Sequence, residues 1–321
     1  MNTTFTKVAA ALVFCTAAGS ALAQAYPSKP IRLVVGFPPG GGTDVVARIV
    51  GAKLQDALGQ PVIIENKAGG SGIIATEFVA RSAPDGYTLI VGGSNAMAVN
   101  PVLYAKLSYD PLKDFIPITN LIQSPLIVAV HPSVPANSVQ ELIAYAKANP
   151  GKINFSSANA HTQLAGEMFS QKTGARIIHV PYKGGGPAVS AVIAGEVPMT
   201  IIDGGSAASQ IKAGQLRALA VTTATRTSVL PDLPTMQESG VPDFDIGTWF
   251  GLFAPAGTPS AIVSKLNAEV VGILNQPDTR KRLAAISVEP AGGTPAEFAT
   301  RIRNDIARFG AAAKAANMKA E

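Results

Sequence analysis

Short apolar runs rich in β-branched residues recur along the chain, each followed by a polar or glycine-rich break and then by an apolar stripe of helical spacing. "IRLVVGF" (31–37) is apolar on both faces, as a strand inside a parallel sheet requires. After it, Val46, Ile49, Val50, Leu54 and Ala57 share one stripe, which predicts a helix with Thr43 as its N-cap. "PVIIENK" (61–67) reads as a second strand, "GGSG" opens a helix around Ile73 to Arg81, and "GYTLIVGGSN" (86–95) reads as a third strand.

The alternation restarts further on. Strands are predicted at 153–158, 176–182, 197–203 and 216–224, with helices at 163–173, 187–195 and 206–213 between them. Strand–helix–strand alternation means a parallel sheet with right-handed crossovers. One sheet would need about nine parallel strands, near the upper end of what is usual. The pattern therefore predicts an α/β fold of two lobes, each a mostly parallel sheet flanked by helices. "FIPITNL" lies between the two sets; the stretches 126–132 and 247–255 are the expected crossing strands, and helices at 260–275, 277–285 and 295–315 return to the first lobe. The division is a leader at 1–23, lobe I at 24–124 and 252–321, and lobe II at 125–251.

The leader stands apart in composition. Lys7 is its only charge, an apolar run of 16 residues follows, and Ala21-Leu22-Ala23 is a small-x-small site. This predicts a secretory signal peptide cleaved after Ala23, because the run is short of the roughly 20 residues of a spanning helix. Cys15 is the only cysteine and leaves with the leader, so the exported chain has neither thiol nor disulfide. That usage fits the bacterial periplasm. The whole chain has 26 basic and 21 acidic residues (+5); without Lys7 it has 25 and 21 (+4). The basic residues are scattered without interleaved aromatics, which argues against nucleic-acid binding.

Glycine triplets mark the chemistry. "GGGTDVVARIVG" (40–51) and "GGGPAVSAVIAG" (184–195) match at seven of twelve positions, and each follows a strand that ends in proline. In an open parallel sheet such loops lie beyond the carboxyl ends of the strands, where ligands bind. Glycine lets an anion approach the free amides of the following helix. Phe37, Pro39, Gly40, Gly41, Gly42 and Thr43 are candidates on that basis, as is Gly184 after Tyr182 and Lys183. Other polar and glycine residues gather at strand ends in the same way: Gly69, Gly70 and Ser71; Ser94 and Asn95; Ser157, Asn159, His161 and Thr162; and Asp203, which is also placed to cap the next helix. Trp249 is either core or the wall of a pocket.

Nucleotide and catalytic readings lack their signatures. Gly42 is followed by Thr43 and Asp44, not by the Lys-Ser/Thr of a phosphate loop, and prolines occupy the turn of a dinucleotide fingerprint. His131, His161 and His179 have no metal-ligand spacing, and no Gly-x-Ser-x-Gly elbow occurs. His131 and His179 read as structural. No catalytic residue, metal or cofactor is predicted.

Taken together, "YPSKPIRLVVGFPPGGGTDVVARIV", "VIIENKAGGSGIIATEFVARSAPDGYTLIVG", "HVPYKGGGPAVSAVIAGEV", "LRALAVTTATRTSVLPDLPTMQESG" and "FGLFAPAGTP" resemble the Bug-type extracytoplasmic solute receptors, the binding components of tripartite tricarboxylate transporters. The resemblance spans residues 26 to about 318. It implies a type II-like two-lobed periplasmic binding protein, monomeric, that closes on a carboxylate and serves integral membrane permease subunits. It places first-lobe contacts at Phe37 to Thr43 and Ala68 to Ser71, and second-lobe contacts at Ser156 to Thr162, with Tyr182 to Gly185 and Asp203 nearby. The chain departs from the family in "SSANAHTQLAGE", a compact loop with Gln163 where relatives carry a histidine. The competing readings are a periplasmic hydrolase on a similar scaffold and a ligand-sensing subunit for a signalling partner.

Overall fold

The computed structural model describes residues 26–318 apart from Val229. The leader and its cleavage site lie outside the described residues.

Each glycine-rich break predicted from the sequence joins a strand to a helix. In the first half, β1 (Ile31–Val35), β2 (Val62–Asn66) and β3 (Thr88–Gly93) alternate with α1 (Gly42–Leu58) and α2 (Ile73–Ala80), and the short α3 (Asn100–Leu103) follows. β1 pairs parallel with both β2 and β3. In the second half, β5 (Asn154–Ser157), β6 (Ile178–Pro181) and β7 (Met199–Asp203) alternate with α5 (Ala160–Thr173) and α6 (Gly185–Ile193), after α4 (Val139–Ala148); α7 (Gly204–Lys212) leads on to β8 (Arg217–Val221). β5 pairs parallel with β6 and β7.

The halves share one strand. β4 (Phe115–Val130) takes in "FIPITNL" and the first five residues of "LIVAVHP" in 16 residues. From Phe115 to Pro125 it runs antiparallel to β9 (Gly247–Pro255), with β10 (Glu289–Gly292) on its flank. From Leu126 to Val130 it runs antiparallel to β7 and β8. The strand order is β2-β1-β3-β9-β4-β7-β5-β6. The β4–β9 ladder has two register shifts, at Pro117/Thr119 and Asn120/Ile122, the first beside a proline that cannot donate to the ladder. The C-terminal helices α8 (Ser260–Leu274), α9 (Pro277–Ala285) and α10 (Pro295–Ala315) lie close to the predicted ranges.

Packing settles Trp249 as core. It is fully buried, its Nε1 donates to Asp305 Oδ2 at 2.7 Å, and Phe298 meets it edge-on at 5.1 Å. Its strand neighbour Phe250 points to the opposite face, as period-two alternation requires. That face looks into the cleft.

Candidate functional site

Five segments carry the site, and the first is the loop before α1. Here the sequence expectation needs correction: Gly41, not Thr43, is the N-cap, with extended backbone (φ −78°, ψ 164°) and no side-chain cap. The reason is Asp44. Its Oδ2 accepts from the Gly40 amide at 2.9 Å and from Arg48 Nε at 2.9 Å, and its Oδ1 accepts from Asn66 Nδ2 at 2.9 Å. Asn66 Nδ2 also donates to the Phe37 carbonyl. Burial disfavours the Asp44 charge, but hydrogen bonds from Arg48, Gly40 and Asn66 outweigh it and hold the carboxyl below its ordinary range. The carboxylate thus fastens the loop instead of facing a ligand. Thr43 is buried in the first helical turn and lines the cleft.

The second segment is Gly69 to Gly72, a run of positive φ (138°, 53°, 51° and 87°) that includes Ser71. Asn95 and Asn100 hold it by donating to the Ser71 carbonyl at 2.6 and 3.2 Å. The third segment, Ser94 and Asn95, links the halves. Asn95 Oδ1 accepts from the His161 amide at 3.0 Å, and Ser94 Oγ lies 2.7 Å from His161 Nδ1 and 3.0 Å from Thr248 Oγ1.

The fourth segment opens α5. Asn159 caps it, accepting from the amides of His161 and Thr162, and the Thr162 hydroxyl returns to the amides of Ala158 and Asn159. This capping box starts α5 at Ala160, three residues before the sequence expectation. His161 is buried against Phe309, with ring centroids 4.8 Å apart. Burial, aided by the Arg308 charge, pushes its imidazole down to about 3. The fifth segment is Asp203, which caps α7 by accepting from the Ser206 amide at 3.0 Å. Enclosure pushes its carboxyl up, against the hydrogen bonds from Ser206 and Gly205.

Four of these segments border a cleft between the two halves, and Gly69 to Gly72 reaches it only through Asn95; the cleft is lined by Phe37, Thr43, Gly93, Asn95, Leu126, Ala158, Asn159, His161, Thr162, Gly185, Asp203, Thr248 and Phe250. The remaining space is about 30 Å³, room for a water molecule or two. Seven candidates therefore meet: Phe37, Thr43, Asn95, Asn159, His161, Thr162 and Asp203. Ser94 stands behind His161. Gly42 and Gly184 touch the opposite half: a Cβ at Gly42 would overlap Asp203 Oδ1, and one at Gly184 would lie 3.1 Å from Pro38 Cδ. Pro39, Gly40, Gly41, Gly69, Gly70, Ser71, Tyr182 and Lys183 do not line the cleft, and neither does Ser157, whose hydroxyl lies 2.6 Å from His179 Nε2. Leu126, Thr248 and Phe250 went unrecognised because strand residues carry no local mark of which crossing they belong to. Among the described residues no group of three His, Cys, Asp or Glu is placed to hold a metal.

The cleft offers amides, hydroxyls and side-chain amides, with Asp203 as its only charged side chain, above an apolar floor of Phe37, Leu126 and Phe250. The helices α1, α5, α6 and α7 all begin beside it, so four positive dipole ends converge there.

Known proteins share this fold. Protein BugT of Bordetella pertussis strain Tohama I is 38% identical over 303 residues, which are 92% of this chain and 93% of BugT. The structure of Rpa4515 of R. palustris with adipate superposes with a TM-score of 0.89 at 37% identity, covering 92% of this chain and 99% of the other. That of MatC from Rhodopseudomonas palustris with bound malate superposes at 0.85 and 34% identity, covering 89% and 99%. The sequence model of the family described as "Tripartite tricarboxylate transporter family receptor" matches residues 46–318. The chain belongs to the tripartite tricarboxylate transporter receptor family, and within it to the Bug-type receptors that its motifs resemble.

Proposed function

We propose that this protein is exported to the periplasm, captures a small organic carboxylate between two lobes, and presents it to the integral membrane permease subunits of a tripartite transporter. The observation that carries this reading is the convergence of four helix N-termini on one cleft whose other donors are neutral. The positive dipole ends favour an anion without a lysine or arginine to neutralise it, each worth roughly 0.3–1 kcal/mol. Adipate and malate in the two related structures support a carboxylate. The leader sequence, with cleavage after Ala23, supports export.

Lobe I is residues 24–124 with 252–321, and lobe II is 125–251. In support, β4 changes partners between Pro125 and Leu126. The loops Phe37–Thr43 and Ser156–Thr162 seat the ligand from opposite lobes. Thr43, Asn95, Asn159 and Thr162 supply polar contacts, and Asp203 favours a ligand with a hydroxyl or ammonium donor on that side.

The hydrolase reading has one observation to meet, the 2.7 Å contact of Ser94 Oγ with His161 Nδ1. A general base works best with a pKa near the operating pH. His161 is pushed down to about 3, Ser94 is completely buried, and no carboxylate partners His161 Nε2 among the described residues. The pair serves the lobe interface, and the protein works as a monomeric receptor, not an enzyme.

A thermal-shift screen of the purified protein against aliphatic dicarboxylates, tricarboxylates, aromatic acids and amino acids is the test. An acid at 100 times its Kd adds about 2.7 kcal/mol of stability. A screen in which no acid raises the melting temperature contradicts the proposal.

A further inference from the structure

Ser206 carries no signal in the sequence, yet it joins the two lobes. It sits in the first turn of α7, where its hydroxyl lies 3.2 and 3.1 Å from the two carboxylate oxygens of Asp203. The Gly42 amide, at the start of α1 in the other lobe, donates to the same Ser206 oxygen at 3.2 Å. A serine hydroxyl has one proton and two acceptor lone pairs. Its proton is drawn to Asp203, which leaves a lone pair turned to Gly42. The chain of donation therefore runs Gly42 N–H to Ser206 O–H to the Asp203 carboxylate.

The glycines around this contact make it geometrically possible. A Cβ at Gly42 would overlap Asp203 Oδ1, one at Gly205 would lie 2.9 Å from Gly42 Cα, and one at Gly185 would overlap Ser206 Oγ. Each of these atoms belongs to a triplet or to the Asp203–Ser206 turn. The two glycine triplets thus meet this turn, and Pro38 meets Gly184, across the cleft.

We propose that Ser206 is a closure latch: a positioning residue that accepts the Gly42 amide of the opposite lobe when the lobes shut, and is oriented for it by Asp203. This inference rests on the two-lobe reading given above. It assigns the bareness of Gly42 to lobe contact as well as to ligand approach.

The experiment measures the distance between spin labels on exposed positions of the two lobes, at Asp56→Cys in α1 and Ser190→Cys in α6, in the full chain carrying Cys15→Ser. No ligand is added. The parent protein is expected to show a short-distance, closed population beside an open one. Ser206→Ala, checked for native circular dichroism, lowers the closed-to-open ratio roughly two- to tenfold, the worth of one net hydrogen bond. Asp203→Asn keeps a carbonyl acceptor for the hydroxyl and retains the closed population, whereas Asp203→Ala behaves like Ser206→Ala. An unchanged ratio in Ser206→Ala, or no closed population in the parent, overturns the latch. A single invariant distance in every variant overturns the two-lobe reading itself.

Discussion

At Gly41 an added methyl group would meet nothing nearer than the Pro38 carbonyl oxygen, 3.8 Å away, and the backbone is already extended at φ −78°. One residue later the methyl would overlap Asp203. Gly41→Ala should therefore leave affinity within about twofold, and Gly42→Ala should weaken binding of any acid by well over tenfold; calorimetry on folded variants checks both. The sequence marked the triplet but could not rank its members, because the neighbour that decides is 161 positions away in the chain. It also chose Thr43 as the cap by residue type, and missed that Asp44 closes the loop by reaching back to Gly40. His161 gives a pH prediction. Its imidazole is lowered from 6.5 to about 3 by burial and by Arg308, so its contribution to stability is complete above pH 6.5 and is lost as pH falls toward 3. Asp203, pushed up, acts in the opposite sense, losing stability as pH rises through its raised range. The two must be separated by variant. Between pH 7.5 and 5, urea unfolding of the parent should show a His161-dependent loss on the order of 1–2 kcal/mol, which His161→Gln removes.

At the scale of elements, the loop before α1 depends on one buried carboxylate. Asp44→Ala leaves the Gly40 amide without its acceptor and removes one of the two acceptors of Asn66 Nδ2, and should cost about 1–3 kcal/mol in urea unfolding. Arg48→Ala should cost less, because that side chain is half exposed. The helices after each glycine break were legible from their stripes, but α5, α6 and α7 start two or three residues before the stripe does, at the caps Asn159, Gly184 and Asp203. β10 was illegible: "EPAG" has no strand propensity, and it exists because β4 offers it a pairing edge. β4 itself read as two pieces, since Pro117 and Pro125 punctuate it, and the register shifts along it are a property of the pair and not of the strand.

For the whole molecule, alternation of strands and helices was enough to expect an α/β fold with a repeated half, because buried parallel strands and their covering helices write that pattern directly. What it could not supply is how closely the halves approach, since contacts such as Gly42 with Ser206 and Asn95 with His161 join distant parts of the chain. We propose that the hinge lies at 124–126 and 249–252; β4 pairs with β9 up to Pro125 and with β7 from Leu126 on. Small-angle scattering should show a smaller radius of gyration with a bound acid than without one. The decisive measurement is isothermal titration of the purified protein with the acid that most raises its melting temperature, alongside the methyl ester of that acid. One-to-one binding is expected, with the acid recovered unchanged and the ester at least tenfold weaker for each charge-assisted hydrogen bond lost, on the order of 1.5–3 kcal/mol. An ester that binds as tightly as the acid, or an acid that is consumed, would contradict a carboxylate seat built from helix amides.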